Sequence, residues 1–361
     1  MFVLDSHCDT PSQIYRLRDI AIDGPHSYVD LPKLKRGGVD GAFFALYVPA
    51  SMDTAQAWDY SWKLMDALRT SVAVNKDKAA FATSPEEAFQ NKEKGLFSVF
   101  TALENGSPIG DSLERLEDFY KAGIRYMTLC HSADNMICDS CASKKHTWHG
   151  LSPFGREVVS RMNDLGIMVD VSHISDDSFH DVLKYSRVPV VATHSCCRSL
   201  AAHPRNMTDD MIKALAGNGG VMQVNFFPVF LDSAFACRLA ESGLVEKGET
   251  AESEFIACPS DEAKRKAWYD VLDEIRELER PSYKRIVDHI DHVVSIAGID
   301  HVGIGSDFDG MDVTPDGMED ISRLPYIFEE MRCRGYSEAE ISKVAGGNFL
   351  RVMSLVQSSI R

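Results

Sequence analysis

The chain alternates between short apolar runs and longer amphipathic segments. Eight of the runs are rich in valine, isoleucine, phenylalanine, leucine and alanine, and polar positions rarely interrupt them. Continuous apolar runs of this length are typical of strands that are buried on both faces of a parallel sheet. We therefore predict eight strands, at residues 2–7, 40–48, 96–104, 126–131, 168–173, 190–194, 221–227 and 301–307.

A segment with helical periodicity lies between most of the predicted strands. Leu113, Leu116 and Phe119 share one helical face and precede Gly123, and a second such segment ends before Gly166. Glycine at these two positions is typical of a helix C-cap. Strands that alternate with helices in this way predict an α/β fold, a (β/α)8 TIM barrel.

The connection between the last two predicted strands is unusually long. Residues 228–299 contain a charged helix at about 261–279 and an amphipathic helix whose apolar stripe begins at Ile286. Because about 70 residues exceed a plain barrel loop, we expect a helical insertion after strand seven that serves as a lid or an oligomer contact. Since no repeat or Pro/Ser-rich linker is present, residues 1–361 are expected to form one domain.

Composition narrows the classes of partner. The 361 residues are 44% apolar and 25% charged, which is ordinary for a globular enzyme. The formal net charge is −16 and no basic patch stands out, so we expect no nucleic acid and no membrane as partners. An anionic substrate would need a dedicated arginine or lysine. Scattered cysteines, no long apolar run and no signal-type N-terminal segment lead us to expect a cytoplasmic protein with reduced thiols.

Residue types that bind metals occur where predicted strands end. His7 and Asp9 close the first strand, Glu104 the third, and His173 and His194 the fifth and sixth. The carboxyl ends of barrel strands meet at one rim, which is where such barrels hold their active sites. Imidazole and carboxylate are ligands that a divalent ion such as zinc accepts. These five residues therefore predict a barrel of the metal-dependent hydrolase type.

Each of these residues also has a plain structural alternative. The His7-x-Asp9 tripeptide is compatible with a turn that Asp9 caps, Glu104 with a surface loop, and each histidine with a hydrogen-bonded core residue. Asp307 ends the last strand and would complete the ring beside the first one. Its neighbour Asp309 is a competing candidate, whose other role would be to cap the following turn.

A second group of metal-type residues follows the fourth predicted strand. Cys138 and Cys141 precede His146 and His149, which together have the residue types of a small structural zinc site. The gap between the cysteines and the histidines is much shorter than in zinc fingers. The spacing favours a loop over a second metal site.

Two residue pairs have simpler interpretations. Cys196 and Cys197 directly follow His194, and free cysteines of this kind usually behave as small apolar residues. His289 and His292 lie three residues apart on a predicted helix. For this pair we expect a solvated helix face rather than a metal site.

Nine motifs occur in one order along residues 2–355. They are DSHCDTP, ALENG, RYMTLCHSADN, HGLSPFGREVV, IMVDVSH, PVVATHS, LAAHPRNMTDD, HVGIGSDFDG and GGNFLRV. In this order they resemble the membrane (renal) dipeptidase family of binuclear zinc dipeptidases, in its bacterial-type members. None of the motifs would be specific alone.

The resemblance implies two Zn²⁺ ions per chain. By position, His7 and Asp9 match the ligands of one zinc ion. Glu104 matches the carboxylate that bridges both ions, and His173 and His194 match the ligands of the second. The ions would repel each other strongly unless anions such as Glu104 and a hydroxide lay between them.

The resemblance also implies three residues that act on substrate. His131 matches a histidine that contacts the substrate and polarises the scissile carbonyl, and Arg205 matches the arginine that holds the terminal carboxylate. Asp307 matches the acid near the substrate amine that transfers a proton. The alternative for Arg205 is a solvated side chain ahead of a helix that starts near Thr208.

The expected activity is hydrolysis of dipeptides with a free C-terminal carboxylate by attack of a metal-bridging hydroxide. Two alternatives stay open, a binuclear amidohydrolase that acts on a cyclic amide or lactone, and a metal-binding scaffold without turnover. A homodimer is a further option that the resemblance implies.

Overall fold

The computed structural model describes residues 1–360, and this part of the chain contains nine parallel strands. Their bounds are β1 Leu4–Cys8, β2 Gly41–Tyr47, β3 Ala79–Phe81, β4 Phe97–Glu104, β5 Ile124–Thr128, β6 Met168–Asp170, β7 Val191–Ser195, β8 Val221–Val224 and β9 Val302–Ile304. Eight of them are neighbours in the order β1-β2-β4-β5-β6-β7-β8-β9, and each matches a predicted strand.

Hydrogen bonds between the two ends of this sheet nearly close it into a barrel. The Asp307 N–H donates to the His7 carbonyl at 3.0 Å, and the Asp9 N–H donates to the Phe308 carbonyl at 2.9 Å. The residues after β9 therefore lie beside the end of β1. The predicted (β/α)8 TIM barrel is confirmed.

Helices connect the strands. Their bounds are α1 Thr10–Tyr15, α2 Leu31–Arg36, α3 Thr54–Val74, α4 Pro85–Glu93, α5 Leu113–Ala122, α6 Pro153–Leu165, α7 Asp176–Tyr185, α8 Asp209–Gly217, α9 Pro228–Leu231, α10 Ser233–Glu241, α11 Leu244–Ala257, α12 Glu262–Arg276, α13 Lys284–Ala297, α14 Leu324–Cys333, α15 Glu338–Ser342 and α16 Asn348–Gln357. Gly123 and Gly166 cap α5 and α6 with φ of 113° and 74°, as predicted. Among the helices of residues 1–360, none is both long enough and apolar enough to cross a membrane.

Four strands end three residues earlier than predicted, and one strand was missed. The four are β5, β6, β8 and β9, so His131, His173, Asn225 and Asp307 lie in the loops that follow. His173 and Asp307 both have φ of 68°, a left-handed conformation that no strand accommodates. The missed strand, β3, has only three residues and pairs with the start of β4.

The bottom of the barrel is filled by aromatic side chains. Phe43 stacks on Phe100 with ring centroids 4.7 Å apart, and Phe349 of α16 meets Phe43 edge-on at 5.2 Å. Tyr126 of β5 lies in the same apolar cluster. Because α16 packs against this end, the carboxyl ends of the strands are the end that remains open to a site.

The long connection divides into two parts. Helices α10 to α12 supply most of two small apolar clusters, around Phe235 and around Trp268, whereas Leu231 of α9 belongs to the main core. Helix α13 instead packs against β8, β9 and α8, and is therefore the barrel helix between the last two strands. The predicted insertion at 228–299 is thus four helices followed by a regular barrel helix.

The expectation of a solvated helix face is wrong for His289. This residue of α13 is fully buried, and its Nδ1 accepts a hydrogen bond from the Cys197 N–H at 3.0 Å. Its neighbour His292 lies at the surface and pairs with Asp209 at 2.8 Å. His289 thereby joins α13 to the loop after β7.

Candidate metal centre and active site

Seven of the predicted side chains meet at the carboxyl end of the barrel. His7, Glu104 and His194 come from within strands, whereas His131, His173 and Asp307 come from the loops after strands. Three overlapping groups have ligand atoms that all lie within 4.8 Å of one another. These groups are His7, Glu104 and His194; Glu104, His131 and His173; and His7, Asp9 and Asp307.

Glu104 lies at the centre of these groups. Its Oε2 is 3.4 Å from the His7 Nε2, and its Oε1 is 3.2 Å from the His173 Nε2 and 3.4 Å from the His194 Nε2. The residue is 2% exposed. Each carboxylate oxygen therefore faces a different set of imidazoles, and the surface-loop alternative for Glu104 is wrong.

Asp9 does not cap the turn in which it lies. It is the N-cap residue of α1, yet its side chain accepts no hydrogen bond from that helix. Its Oδ2 lies 3.6 Å from the His7 Nε2, and its Oδ1 is buried without a hydrogen-bond partner. A buried carboxylate oxygen without a donor is unfavourable unless a cation binds there.

The competing residue Asp309 has other partners. It accepts hydrogen bonds from the Thr10 hydroxyl at 2.9 Å and from Arg18 Nη1 at 2.5 Å. The Arg18 charge offsets that of Asp309. Asp307 instead has Oδ1 3.9 Å from the His7 Nε2, while its Oδ2 accepts a hydrogen bond from Asn225 at 2.9 Å.

The surroundings favour the neutral form of two histidines and the protonated form of a third. Burial, and then neighbouring cations, lower the pKa of His173 and of His194 well below the usual value. Burial would also lower the pKa of His7, but Glu104 and Asp9 outweigh it and raise that pKa well above the usual value. Neutral imidazoles are the form that binds metals, and the carboxylates attract a cation.

Burial has the opposite effect on the acids. It raises the pKa of Asp9 to about 7, with the charge of Glu104 adding to the effect. It also raises the pKa of Asp307 to about 6, although His7 partly offsets this. Two acids are thus held at a site where a divalent cation would compensate their negative charge.

The donor set fits a divalent metal of the zinc type. Imidazole nitrogens and carboxylate oxygens converge, and the His7 Nε2 is buried without a hydrogen-bond partner. The Cys138, Cys141, His146 and His149 residues are absent from the candidate clusters found among residues 1–360. One backbone bridge pairs Cys138 with Leu151 in this loop.

A cavity of about 350 Å³ opens beside the cluster. Arg205 lines it and is 6% exposed, so its predicted alternative as a solvated side chain is wrong. Its Nη1 donates to Ser195 Oγ at 2.8 Å, and its Nη2 donates to the His194 carbonyl at 2.6 Å. The Arg205 Nε is buried without a partner.

His131 faces the same cavity. Its ring lies 4.9 Å from that of Tyr47 and 4.1 Å from that of His173, and its side chain is 22% exposed. Burial, followed by the charges of Arg205 and His7, lowers its pKa to about 3. A neutral imidazole at this position has one N–H to donate.

Sequence reasoning missed several residues of the site. Asn225 directly follows β8 and holds Asp307, so the rule applied to the other strand ends could have found it. Arg16, Glu252 and Trp268 also line the cavity. No motif marks these three, because two of them come from the insertion and meet the barrel only in the folded chain.

A family model matches residues 1–360 of the chain, and its description is membrane dipeptidase, peptidase family M19. This chain belongs to the M19 dipeptidase family. As a family member it is a metal-dependent dipeptidase, a hydrolase that acts on peptide bonds. The resemblance inferred from the nine motifs is confirmed.

Individual dipeptidases are similar to this chain over nearly its whole length. The dipeptidase verJ of Clonostachys rogersoniana is 31% identical over 341 residues, which cover 92% of this chain and 76% of that protein. An uncharacterized dipeptidase of Schizosaccharomyces pombe is 29% identical, covering 97% and 80%. The crystal structure of the probable dipeptidase PvdM from Pseudomonas aeruginosa has a TM-score of 0.84 at 29% identity, covering 99% and 96%.

Proposed function

We propose that this protein hydrolyses dipeptides with a free C-terminal carboxylate at a centre of two zinc ions. The observation that carries the proposal is the position of Glu104. Its Oε2 faces His7, and its Oε1 faces His173 and His194. One carboxylate between two metal positions is the arrangement of a binuclear site.

Five residues would hold the metals. His7 and Asp9 would bind one ion, His173 and His194 the other, and Glu104 both. The His173 and His194 Nε2 atoms are 2.9 Å apart, which points both nitrogens at one position. Bound there, the metals would supply Lewis-acid polarisation and water activation at neutral pH.

His131 and Asp307 differ from these five in ways that suit contact with substrate. His131 lies 3.9 Å from the Glu104 Oε1, farther than His173 or His194, and is more exposed than either. We assign it to donate a hydrogen bond to the scissile carbonyl oxygen as negative charge develops there. Asn225 occupies the Asp307 Oδ2, so Oδ1 is the atom that would take a proton from the attacking water and pass it to the leaving amine.

Arg205 is the residue that favours a substrate with a free C-terminal carboxylate. Among residues 1–360 no acidic side chain forms an ion pair with it, and its two hydrogen bonds go to neutral oxygens. A buried guanidinium without an anion is unfavourable, and its planar fork matches a carboxylate. Since the net charge of the chain is −16, Arg205 also gives an anionic substrate a local partner.

Arg205→Met tests this assignment. Loss of one partner of a buried charge pair costs about 2–5 kcal/mol, so kcat/KM for free dipeptides should fall about 30- to 5,000-fold. Wild-type protein should discriminate against the same dipeptides capped as C-terminal amides, and the variant should lose most of that discrimination. Release assays on matched free and capped dipeptides measure both effects.

Arg16→Met is the matched control. Arg16 also lines the cavity, and its Nη1 is already paired with the Glu252 Oε1 at 3.0 Å. Its loss should leave the ratio of free to capped rates close to wild type. If Arg205→Met also keeps the wild-type ratio, the carboxylate anchor is wrong, and a cyclic amide or lactone becomes the better substrate class.

The insertion would form one wall of the substrate cavity. Glu252 of α11 and Trp268 of α12 line the cavity, and Glu252 pairs with Arg16 next to α1. Tyr269 also stacks on His26 of the β1–β2 connection, with centroids 4.3 Å apart. These contacts favour a cover over the site, which was one of the two roles expected for this segment.

Trp268→Ala should raise KM for dipeptides about five- to tenfold with a smaller change in kcat. The substitution removes an apolar wall worth about 1–1.4 kcal/mol without touching the metal cluster. Steady-state kinetics check it. Tyr269→Ala is the control, because Tyr269 packs on Trp268 at 5.2 Å but does not line the cavity. Equal KM changes in both variants would assign the effect to stability of the insertion.

A further inference from the structure

Two of the proposed ligand histidines are held from behind by hydroxyl groups. The His7 Nδ1 lies 2.7 Å from the Tyr126 hydroxyl, and the His194 Nδ1 lies 2.8 Å from the Thr193 hydroxyl. All four residues are fully buried. In both histidines, the nitrogen at the opposite side of the ring, Nε2, faces Glu104.

The hydrogen bond that each hydroxyl donates determines whether Nδ1 or Nε2 of the histidine has the proton. The Tyr126 hydroxyl donates to the Ser6 carbonyl at 3.0 Å, and the Thr193 hydroxyl donates to Asp170 Oδ2 at 2.7 Å. A hydroxyl has one proton, so each oxygen can only accept from the imidazole behind it. Both histidines are thereby held with Nδ1 as the hydrogen-bond donor, which makes Nε2 the nitrogen that would bind a metal.

Asp170 is the acceptor at the end of the hydrogen bonds that run from His194 through Thr193. Its oxygens accept from the Thr193 N–H at 2.9 Å and the Ser172 N–H at 3.0 Å, and from the hydroxyls of Thr193 and of Thr128, the latter at 2.5 Å. Every one of these partners is a donor. The Thr193 hydroxyl therefore donates its proton to Asp170 and accepts a hydrogen bond from His194.

We propose that Tyr126 and the Thr193–Asp170 pair are positioning residues that set metal affinity by fixing the tautomers of His7 and His194. The inference rests on the zinc centre proposed above and adds residues outside the ligand set. Partners of this kind typically change metal affinity 10- to 100-fold when they are removed.

The sharpest test compares two threonines that bond the same carboxylate. Thr193→Val and Thr128→Val each remove one buried hydroxyl that donates to Asp170 Oδ2, but only Thr193 contacts a histidine. Zinc affinity is measured by competition with a chromophoric chelator on metal-free protein. We expect Thr193→Val to weaken one zinc site about 10- to 100-fold, and Thr128→Val to change it less than about threefold.

Two more variants keep the test independent of folding. Thr193→Ser restores the hydroxyl and should return zinc affinity to near the wild-type value. Tyr126→Phe should weaken zinc binding at the site that contains His7, while its thermal unfolding is followed separately. If Thr193→Val fails to fold, these two variants and Thr128→Val still decide the outcome.

Histidine ¹⁵N NMR of the metal-free proteins gives a readout that stability alone would not change. In wild type the His194 signals should report protonated Nδ1, and in Thr193→Val a mixture with protonated Nε2. Wild-type tautomer and affinity in Thr193→Val and Tyr126→Phe would overturn the inference while leaving the zinc centre intact. A wild-type protein that binds no zinc would instead overturn the proposed function, and the inference with it.

Discussion

Glu104→Gln should bind less than half of the metal that wild-type protein binds, which we expect to be about two zinc ions per chain. Both sets of imidazoles face this one carboxylate, so its loss weakens both metal positions. Since the metals contribute several kcal/mol to the transition state, dipeptidase activity should fall more than about 1,000-fold. Elemental analysis of purified protein and a hydrolysis assay measure the two effects.

Glu252→Gln is the matched control for this experiment. Glu252 lines the same cavity, is partly exposed and is absent from the candidate clusters among residues 1–360. Its zinc content should equal that of wild type. One metal or none in undepleted wild-type protein, or full metal content in Glu104→Gln, would contradict the binuclear centre.

Asp307→Asn should keep most of the zinc but lower kcat about 10²- to 10⁴-fold, the usual contribution of a general acid–base group. The asparagine can still accept the hydrogen bond from Asn225, so the loop after β9 should keep its geometry. What the variant lacks is an oxygen that can take up a proton. Zinc content and single-turnover hydrolysis at saturating dipeptide measure the two properties separately.

Asp312→Asn serves as the comparison, since Asp312 lies on the same loop and lines the cavity outside the candidate clusters of the described residues. Its kcat should stay within about threefold of wild type. Near-normal turnover of Asp307→Asn would remove Asp307 from the mechanism. Loss of zinc in that variant would make Asp307 a metal ligand, a role that its distance from His7 also allows.

Most of the fold could be predicted because buried parallel strands require apolar runs, and all eight predicted runs are strands. The ends of these strands were less predictable. His173 and Asp307 turn the chain with left-handed backbone conformations, which residue type alone does not reveal. Likewise, the apolar stripe of α13 looks the same for a barrel helix as for part of an insertion, and only its packing on β8 and β9 distinguishes them.

The sequence by itself determined the barrel, the family and the residue types that collect at the strand ends. Tertiary structure decided which of those residues have partners. Asp309 forms an ion pair because Arg18 folds back onto it. The Asp9 Oδ1 and the Arg205 Nε are instead buried without a hydrogen-bond partner. Tyr126 looks like an ordinary strand residue until the ring of strands brings it behind His7, and Thr193 looks like one until the ring places Asp170 beside its hydroxyl. Such pairings join positions far apart in the chain, and the free energy of a buried charge or polar group depends on them, so local sequence patterns do not contain them.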